Sequence, residues 1–235
     1  MSLIVPPGKT LDLSIAGAAV FFGKYAGKDK LLRIVQYLLM WSRTLTGNKE
    51  RTAWMNAMFR EVMVGRRTFR FFSSLGVLAT LQRGLGGDDP LARQLNTCSK
   101  ISIIGFHLID HARWLQDLEL LPGSTVDSKN RSFTCFAISS ALAAVVQGRA
   151  WLGAPPRSPG GDDGLTQVQR MAAIRKKREA ARRATVRNIL VFFQCLHIST
   201  WFTKFGPKAI GVSGVISSAM DVCDLWPALA PKKSM

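Results

Sequence analysis

The residues best suited to metal chemistry are His107 and His111, which stand four positions apart with Asp110 beside them. On a helix, side chains at this spacing share one face, so the pair could contribute to a metal site. However, no third ligand stands nearby, and the pattern lacks the acid of a His-Glu-x-x-His motif. Packing and interfacial hydrogen bonding are therefore the favoured interpretation of the two histidines.

A second motif, Gly8-Lys9-Thr10, matches the end of a phosphate-binding loop. Leu3 stands where that loop needs its first glycine, and no apolar strand precedes it. His197 is isolated in an apolar run, and no serine, histidine and acid follow the order of a catalytic triad. The sequence therefore predicts no enzyme activity, no metal and no cofactor.

Charge and apolar character are both high and are separated along the chain. The net charge is +17, while 47% of the 235 residues are hydrophobic. Such a charge indicates a polyanionic partner, which is anionic lipid or nucleic acid. Residues 170–187 hold eight Arg or Lys against one acid, Glu179, directly before an apolar helix. This arrangement is typical of a juxtamembrane segment, and the absence of aromatic-interleaved loops argues against nucleic acid.

Residues 66–85 are predicted to form one amphipathic helix, after helical runs over 12–45 and 51–64. A narrow polar stripe faces a broad apolar side, which suits a helix lying in the membrane interface. A core-facing helix of a bundle remains the alternative. The predicted membrane-inserting residues are Phe69, Phe71, Phe72, Leu75, Leu78, Leu81 and Leu85. The predicted lipid-headgroup contacts are Lys30, Arg33, Arg66, Arg67, Arg70, Arg175, Lys176, Lys177 and Arg178.

Four apolar stretches occupy the second half of the chain, at 101–109, 132–148, 188–203 and 209–220. None reaches the roughly 20 apolar residues of a comfortable transmembrane helix. We therefore expect an all-α, membrane-embedded protein with N-terminal amphipathic helices and C-terminal hydrophobic hairpins. Buried helices of a soluble bundle are the alternative, and two crossings compete with four.

The bias of basic residues predicts the organisation of the chain about the membrane. Residues 1–98 form a cytosol-facing amphipathic region and 99–153 a first hydrophobic hairpin. A Pro/Gly loop and basic helix at 154–187 precede a second hairpin and cytosolic tail at 188–235. Both termini are then cytosolic.

Two smaller features concern contacts with other chains. Gly211 and Gly214 stand three residues apart in the last apolar stretch and are small enough for close helix packing. Lys232 and Lys233 stand at the third and fourth positions from the end and match a dilysine coat-binding signal. Coat proteins are thus a candidate partner of the tail.

Several landmarks resemble the peroxisomal membrane protein 11 (peroxin-11) family. The first is Lys24-x-x-Gly27-Lys28-Asp29-Lys30-x-x-Arg33-x-x-Gln36-Tyr37, and the second is Arg66-Arg67-x-Phe69-Arg70. Asp110-His111-x-x-Trp114-Leu115, Lys129-x-Arg131 and Gly211-x-x-Gly214-x-Ile216-Ser217-Ser218 follow in order. Their order along most of the chain is more specific than any one of them.

The resemblance implies a peroxisomal membrane protein that self-associates, elongates the membrane and recruits dynamin-related fission machinery and its adaptors. It leaves open whether the organelle is a peroxisome or a glycosome. Our hypothesis is that the helix over 66–85 wedges into the cytosolic leaflet. The alternative is a membrane channel for small metabolites, with Asp110, Asp221 and Asp224 along its path.

Overall fold

All regular elements of the computed structural model are helices, over the residues that it describes. These residues are 3–6, 9–70, 73–83, 89–153, 166–201 and 204–228. The helices are α1 (Ile15–Phe22), α2 (Tyr25–Ser42), α3 (Lys49–Phe69), α4 (Ser73–Gln82), α5 (Pro90–Asp117), α6 (Thr125–Leu152), α7 (Gln167–Ile198) and α8 (Pro207–Leu225). An isolated antiparallel bridge joins Leu11 to Ala228. The prediction of an all-α fold is confirmed.

The longer helices begin at polar side chains that accept hydrogen bonds from the first turn. Asn48 caps α3, Asp89 caps α5 and Ser124 caps α6. Thr166 caps α7 in a reciprocal capping box with Gln169. Since the first backbone N–H groups of a helix have no partner within it, these side chains determine where each helix starts.

The predicted helix over 66–85 is divided in two. Residues 66–69 end α3, while α4 begins at Ser73. The backbone N–H of Arg70 bonds to the carbonyl of Arg67, and the Arg70 Nε donates to the carbonyl of Arg66 at 3.2 Å. In a continuing α-helix, the Arg66 carbonyl would accept the backbone N–H of Arg70, but the Arg70 side chain bonds to it instead. The prediction of one helix is therefore wrong, and Phe71, Phe72 and Leu85 lie outside the described residues.

The helix contacts close into a ring. The order around it is α5, α6, α7, α8, α2 and α3, and α3 returns to contact α5. The short helix α4 packs on α5, and α1 packs on α2. The basic segment 170–187 and the third apolar stretch belong to one helix, α7. The N-terminal helices are thus packed onto the helices that carry the apolar stretches.

Two glycines bring α8 close to α2. A Cβ atom on Gly211 would lie 2.8 Å from the Cβ of Trp41, and one on Gly214 would collide with the ring of Tyr37. Ser217 and Ser218, one turn further along α8, are fully buried. Small residues let two helix backbones approach closely, as they do in membrane proteins.

Polar and apolar side chains are distributed in an unusual way. Among the described residues, 18 polar or charged residues are buried, against 11 hydrophobic ones, while 30 large hydrophobic residues are exposed. The buried apolar residues form only small clusters, such as Tyr37, Met40 and Ile210. In the described part of the chain, one helix, α6, is long and apolar enough to cross a membrane. The interior is thus more polar than that of most soluble bundles.

The close contact of α8 with α2 predicts a clear effect of adding one methyl group. Gly214→Ala places a Cβ against the Tyr37 ring and should lower the free energy of unfolding by about 1–3 kcal/mol. Gly76→Ala is the matched control, because its Cβ meets nothing within 4 Å. It should leave stability unchanged or raise it by up to about 1 kcal/mol. Chemical denaturation of both variants in detergent tests this, and equal stability would contradict the contact.

Candidate functional site

Charged side chains from α2, α3 and α5 form a buried network where the ring closes. Arg66 donates through Nε to Oδ1 of Asp29 at 3.0 Å and also bonds to Gln36. Arg70 lies between two acids, with Nε 3.6 Å from Asp29 and Nη2 3.2 Å from Asp110. The arginines at the end of α3 therefore hold α2 and α5 together through ion pairs.

Arg67 of α3 is almost fully buried and contacts two acids of α5. Its Nη1 donates to Oδ2 of Asp117 at 2.5 Å, and its Nε lies 3.8 Å from Asp110. The three arginines of the second landmark, Arg66, Arg67 and Arg70, thus contact three acids. These acids are Asp29, Asp110 and Asp117. Breaking such a buried pair is costly because the remaining charge keeps its desolvation penalty.

A second cluster surrounds Asp221 of α8. Lys30 Nζ and Arg33 Nη1 of α2 both lie 3.1 Å from its carboxylate, and Arg187 Nη1 of α7 lies 3.0 Å away. Arg33 is further held by Gln194 and Ser217, each 3.4 Å from its Nη2. One carboxylate therefore faces three cations.

The middle of α7 is joined to α8 by a further acid. Asp224 lies 3.0 Å from Arg183 Nη1 and 3.7 Å from Arg187 Nη1. Asp110, Asp221 and Asp224, the acids of the channel hypothesis, thus all contact arginines. A metabolite path along them stays a prediction.

Electrostatics at Asp29 favour its charged form. Burial alone would raise the pKa of this carboxyl, but the Arg66 and Arg70 guanidiniums outweigh burial and lower the pKa to about 2. Burial lowers the pKa of Lys30, and Asp221 opposes that change. Asp29 is thus ionised near neutral pH.

A cavity of about 440 Å³ adjoins this network. Four cationic side chains line it: Lys30, Arg33, Arg66 and Arg70. Asp29 is the carboxylate among its lining residues. Its other wall is apolar and aromatic, with Ile103, Phe106 and Phe136. The arrangement can bind an anion on one side and an apolar group on the other.

The predicted headgroup residues thus fall into two groups. Lys30, Arg33, Arg66, Arg67 and Arg70 belong to the buried network described above. The other four, Arg175, Lys176, Lys177 and Arg178, are exposed on the N-terminal half of α7. A contact with lipid headgroups stays a prediction for both groups.

The predicted membrane-inserting residues are only partly described. On α4, Leu75 is 58% exposed and Leu78 is 45% exposed, while Leu81 is half-buried. Phe69 is the last residue of α3, and its side chain lies outside the described atoms. Lys232 and Lys233 of the tail also lie outside the described residues. Insertion of this segment into lipid stays a prediction.

The two histidines of α5 lie beside the network. Their rings stack with centroids 6.4 Å apart, and His107 lines the cavity with its ring tilted by 52° against that of Phe106. In the described part of the chain, no three His, Cys, Asp or Glu side chains are grouped so that they could hold a metal ion.

Sequence reasoning missed Asp29 and the glutamines Gln36 and Gln194 as parts of a site. Asp29 stands between two lysines, Lys28 and Lys30, and the sequence analysis assigned it no role in a site. Its position inside the first landmark was the signal available. The partners of these residues lie 23 to 161 positions away along the chain, so spacing alone could not pair them.

Comparison with known proteins gives one match. The family described as Peroxisomal biogenesis factor 11 (PEX11) matches residues 16–226. No curated protein and no solved structure matches the chain. The matched range includes every residue of the ion network and of the cavity wall.

The shifted pKa of Asp29 predicts a pH-dependent stability. Because its folded-state pKa of about 2 lies below the usual 3.8, the stabilisation is complete above about pH 4 and is lost as the pH falls towards 2. The shift corresponds to about 2 kcal/mol. Asp29→Asn should therefore lower the free energy of unfolding near neutral pH, by about 3–5 kcal/mol since two arginines lose a charge partner.

Denaturation at neutral pH and at about pH 2–3 measures the free energy of unfolding of wild type and variant. Protonation of Asp29 in acid makes the wild type resemble Asp29→Asn, so the difference between them should shrink. Glu50→Gln removes an exposed acid from the first turn of α3 and serves as the control. A deficit for Asp29→Asn that does not shrink in acid would contradict the ion-pair account.

Proposed function

The chain belongs to the PEX11 family of peroxisomal biogenesis factors, and from that premise we propose that it shapes the membrane of the organelle. In this proposal it promotes membrane elongation, fission and proliferation of peroxisomes or glycosomes. The family is one of biogenesis factors rather than enzymes. Membrane shaping needs a part that is anchored in the bilayer and a part that disturbs one leaflet.

The observation that carries the proposal is the exposure of large apolar side chains on a bundle with a polar interior. Ile138 and Val145 of α6 are about half exposed, as are Ile101 and Leu108 of α5. Water would penalise such a surface, whereas lipid would solvate it. Conversely, the serines between α5 and α6 bond to each other, with Ser99 Oγ 3.0 Å from Ser139 Oγ. Polar contacts inside and apolar side chains outside favour a bilayer as the surroundings.

The leaflet-disturbing part in this proposal is α4. Its exposed leucines, Leu75 and Leu78, face away from the bundle, and the helix is only ten residues long. Full burial of each leucine in lipid would contribute about 1.5–3 kcal/mol. The ion pairs of Arg66 and Arg70 fix the end of α3 just before α4. Because α4 is held rigidly against the anchoring helices, its insertion disturbs the leaflet rather than displacing the helix.

The exposed basic half of α7 supplies the attraction to anionic lipid. Arg175, Lys176, Lys177 and Arg178 are all exposed. Each such residue near an anionic surface is worth about 1 kcal/mol. We place this segment and both termini on the cytosolic side. This placement follows the bias of basic residues, which tend to remain in the cytosol.

Partners of the chain follow from the family resemblance. We propose self-association, which concentrates the wedges, and recruitment of dynamin-related fission machinery through its adaptors. The lysines of the tail are proposed to bind coat proteins. Nucleic acid is not proposed as a partner, because the basic residues described here either pair within the bundle or lie beside apolar helix.

A charge on the outer face of α6 distinguishes a membrane-embedded bundle from a soluble one. Ile138→Arg should destabilise the embedded protein by about 2.5–3.5 kcal/mol, because the side chain is 48% exposed at mid-helix, on a face that meets lipid in this proposal. In water the same change should cost less than about 0.5 kcal/mol. Val126→Arg, in the first turn of α6, is the control and should be tolerated.

Membrane integration of both variants is measured by resistance to alkaline carbonate after expression in cells. We expect wild type and Val126→Arg to resist extraction and Ile138→Arg to be lost or extracted. Release of the wild type by carbonate, or normal integration of Ile138→Arg, would show that α6 does not face lipid.

A charge on α4 tests the wedge itself. Leu75→Glu should abolish tubulation of anionic vesicles by the reconstituted full-length protein, while organelle targeting persists. The reason is that an ionised carboxylate cannot enter the apolar part of the leaflet at reasonable cost. Thr80→Glu adds the same charge at another exposed position of α4 and should retain tubulation. Electron microscopy of the vesicles measures the outcome, and tubules that persist with Leu75→Glu refute the wedge.

A further inference from the structure

The cavity between α2, the end of α3, the start of α4, α5 and α6 carries an excess of positive charge. Lys30, Arg33, Arg66 and Arg70 line one side, and Asp29 is the acid among the lining residues. Asp110 and Asp221 lie behind this wall and pair with Arg70 and with Lys30 and Arg33. Four cations thus face three carboxylates.

The carboxylates behind the wall are also shared with other cations. Asp221 is 3.0 Å from Arg187, and Asp110 is 3.8 Å from Arg67. Arg67 and Arg187 also contact acids away from the cavity, Asp117 and Asp224. Buried positive charge is costly unless an anion accompanies it, and guanidinium groups are suited to phosphate and carboxylate oxygens. The four lining cations thus outnumber the three carboxylates that they contact.

The opposite wall is suited to an apolar group. The rings of Phe106 and Phe136 stack with centroids 4.7 Å apart, and Ile103 extends this surface. The Arg70 guanidinium lies 5.5 Å from the Phe106 ring, at the border of the two walls. His107 lines the cavity and is 8% exposed, and its Nδ1 has no hydrogen-bond partner among the described residues. The opposite wall thus offers aromatic and aliphatic surface to a ligand.

We infer that this cavity binds an amphipathic anion, with its phosphate or carboxylate head against the cationic wall and its acyl or alkyl chain against the aromatic wall. The volume of about 440 Å³ lies in the range of small-molecule sites. A free phosphate ion would leave the apolar wall unused. Ala26 and Lys30 at the rim reach the surface, so a ligand can enter there. This inference does not depend on membrane shaping.

The test uses the full-length protein in an uncharged detergent and native mass spectrometry to count bound molecules. The probes are dodecyl phosphate, dodecanoate, inorganic phosphate and zwitterionic dodecyl phosphocholine. Lys30→Gln removes one cation, while Asp221 keeps Arg33 and Arg187 as partners. Its control is Lys49→Gln, at an exposed lysine that begins α3. Ile103→Trp fills the apolar side, and Ile101→Trp is its control at an exposed position.

We expect one dodecyl phosphate or dodecanoate to be retained per chain, with affinity about tenfold weaker in Lys30→Gln and Ile103→Trp. Both controls should bind like wild type. The probe that binds more tightly identifies the head as phosphate or carboxylate. Retention of neither, equally tight binding of inorganic phosphate or dodecyl phosphocholine, or equal binding by all variants would overturn the inference.

Discussion

The charged form of a few buried aspartates is the condition on which the bundle depends. Asp29, Asp110 and Asp221 each neutralise more than one cation from another helix. Guanidinium groups taken out of water need such partners, because their desolvation is not otherwise repaid. The pairs therefore fix which helices meet, and the apolar contacts fill the space between them. The ring of helices closes at α3 and α5, where the direct helix contact is small and the ion pairs are dense.

A polar interior makes sense only together with the surface that surrounds it. In water, the hydrophobic effect would draw the exposed leucines, isoleucines and tryptophans inwards. In lipid the hydrophobic effect no longer drives helices together. Helices then associate through close packing of small residues, hydrogen bonds and ion pairs. The fit of Gly214 against Tyr37 and the bond between Ser99 and Ser139 are contacts of this second kind. The polar interior and the apolar surface of the bundle therefore both favour lipid over water as its surroundings.

Much of the helical architecture could be predicted from the sequence, because apolar periodicity and caps are local properties. The apolar stretches at 132–148 and 209–220 lie within α6 and α8. The division of 66–85 could not be predicted, since it depends on Arg70 bonding to acids 41 and 40 residues away, Asp29 and Asp110. For the same reason, arginines that follow the period of an amphipathic helix looked like headgroup contacts. Periodicity shows which residues share a face, but not what that face meets.

The family landmarks acquire a common physical explanation in this network. Asp29, Lys30, Arg33 and Gln36 of the first landmark bind residues of α3 and α8, and Arg66 of the second landmark binds back to α2. Landmarks that are scattered along the chain therefore meet in one place, beside a cavity with unbalanced positive charge. Each of the four lining cations contacts a carboxylate, but they share only three, Asp29, Asp110 and Asp221, and buried positive charge is costly unless an anion accompanies it. The excess of cations at the cavity thus argues for an anion that belongs to the working state of the protein.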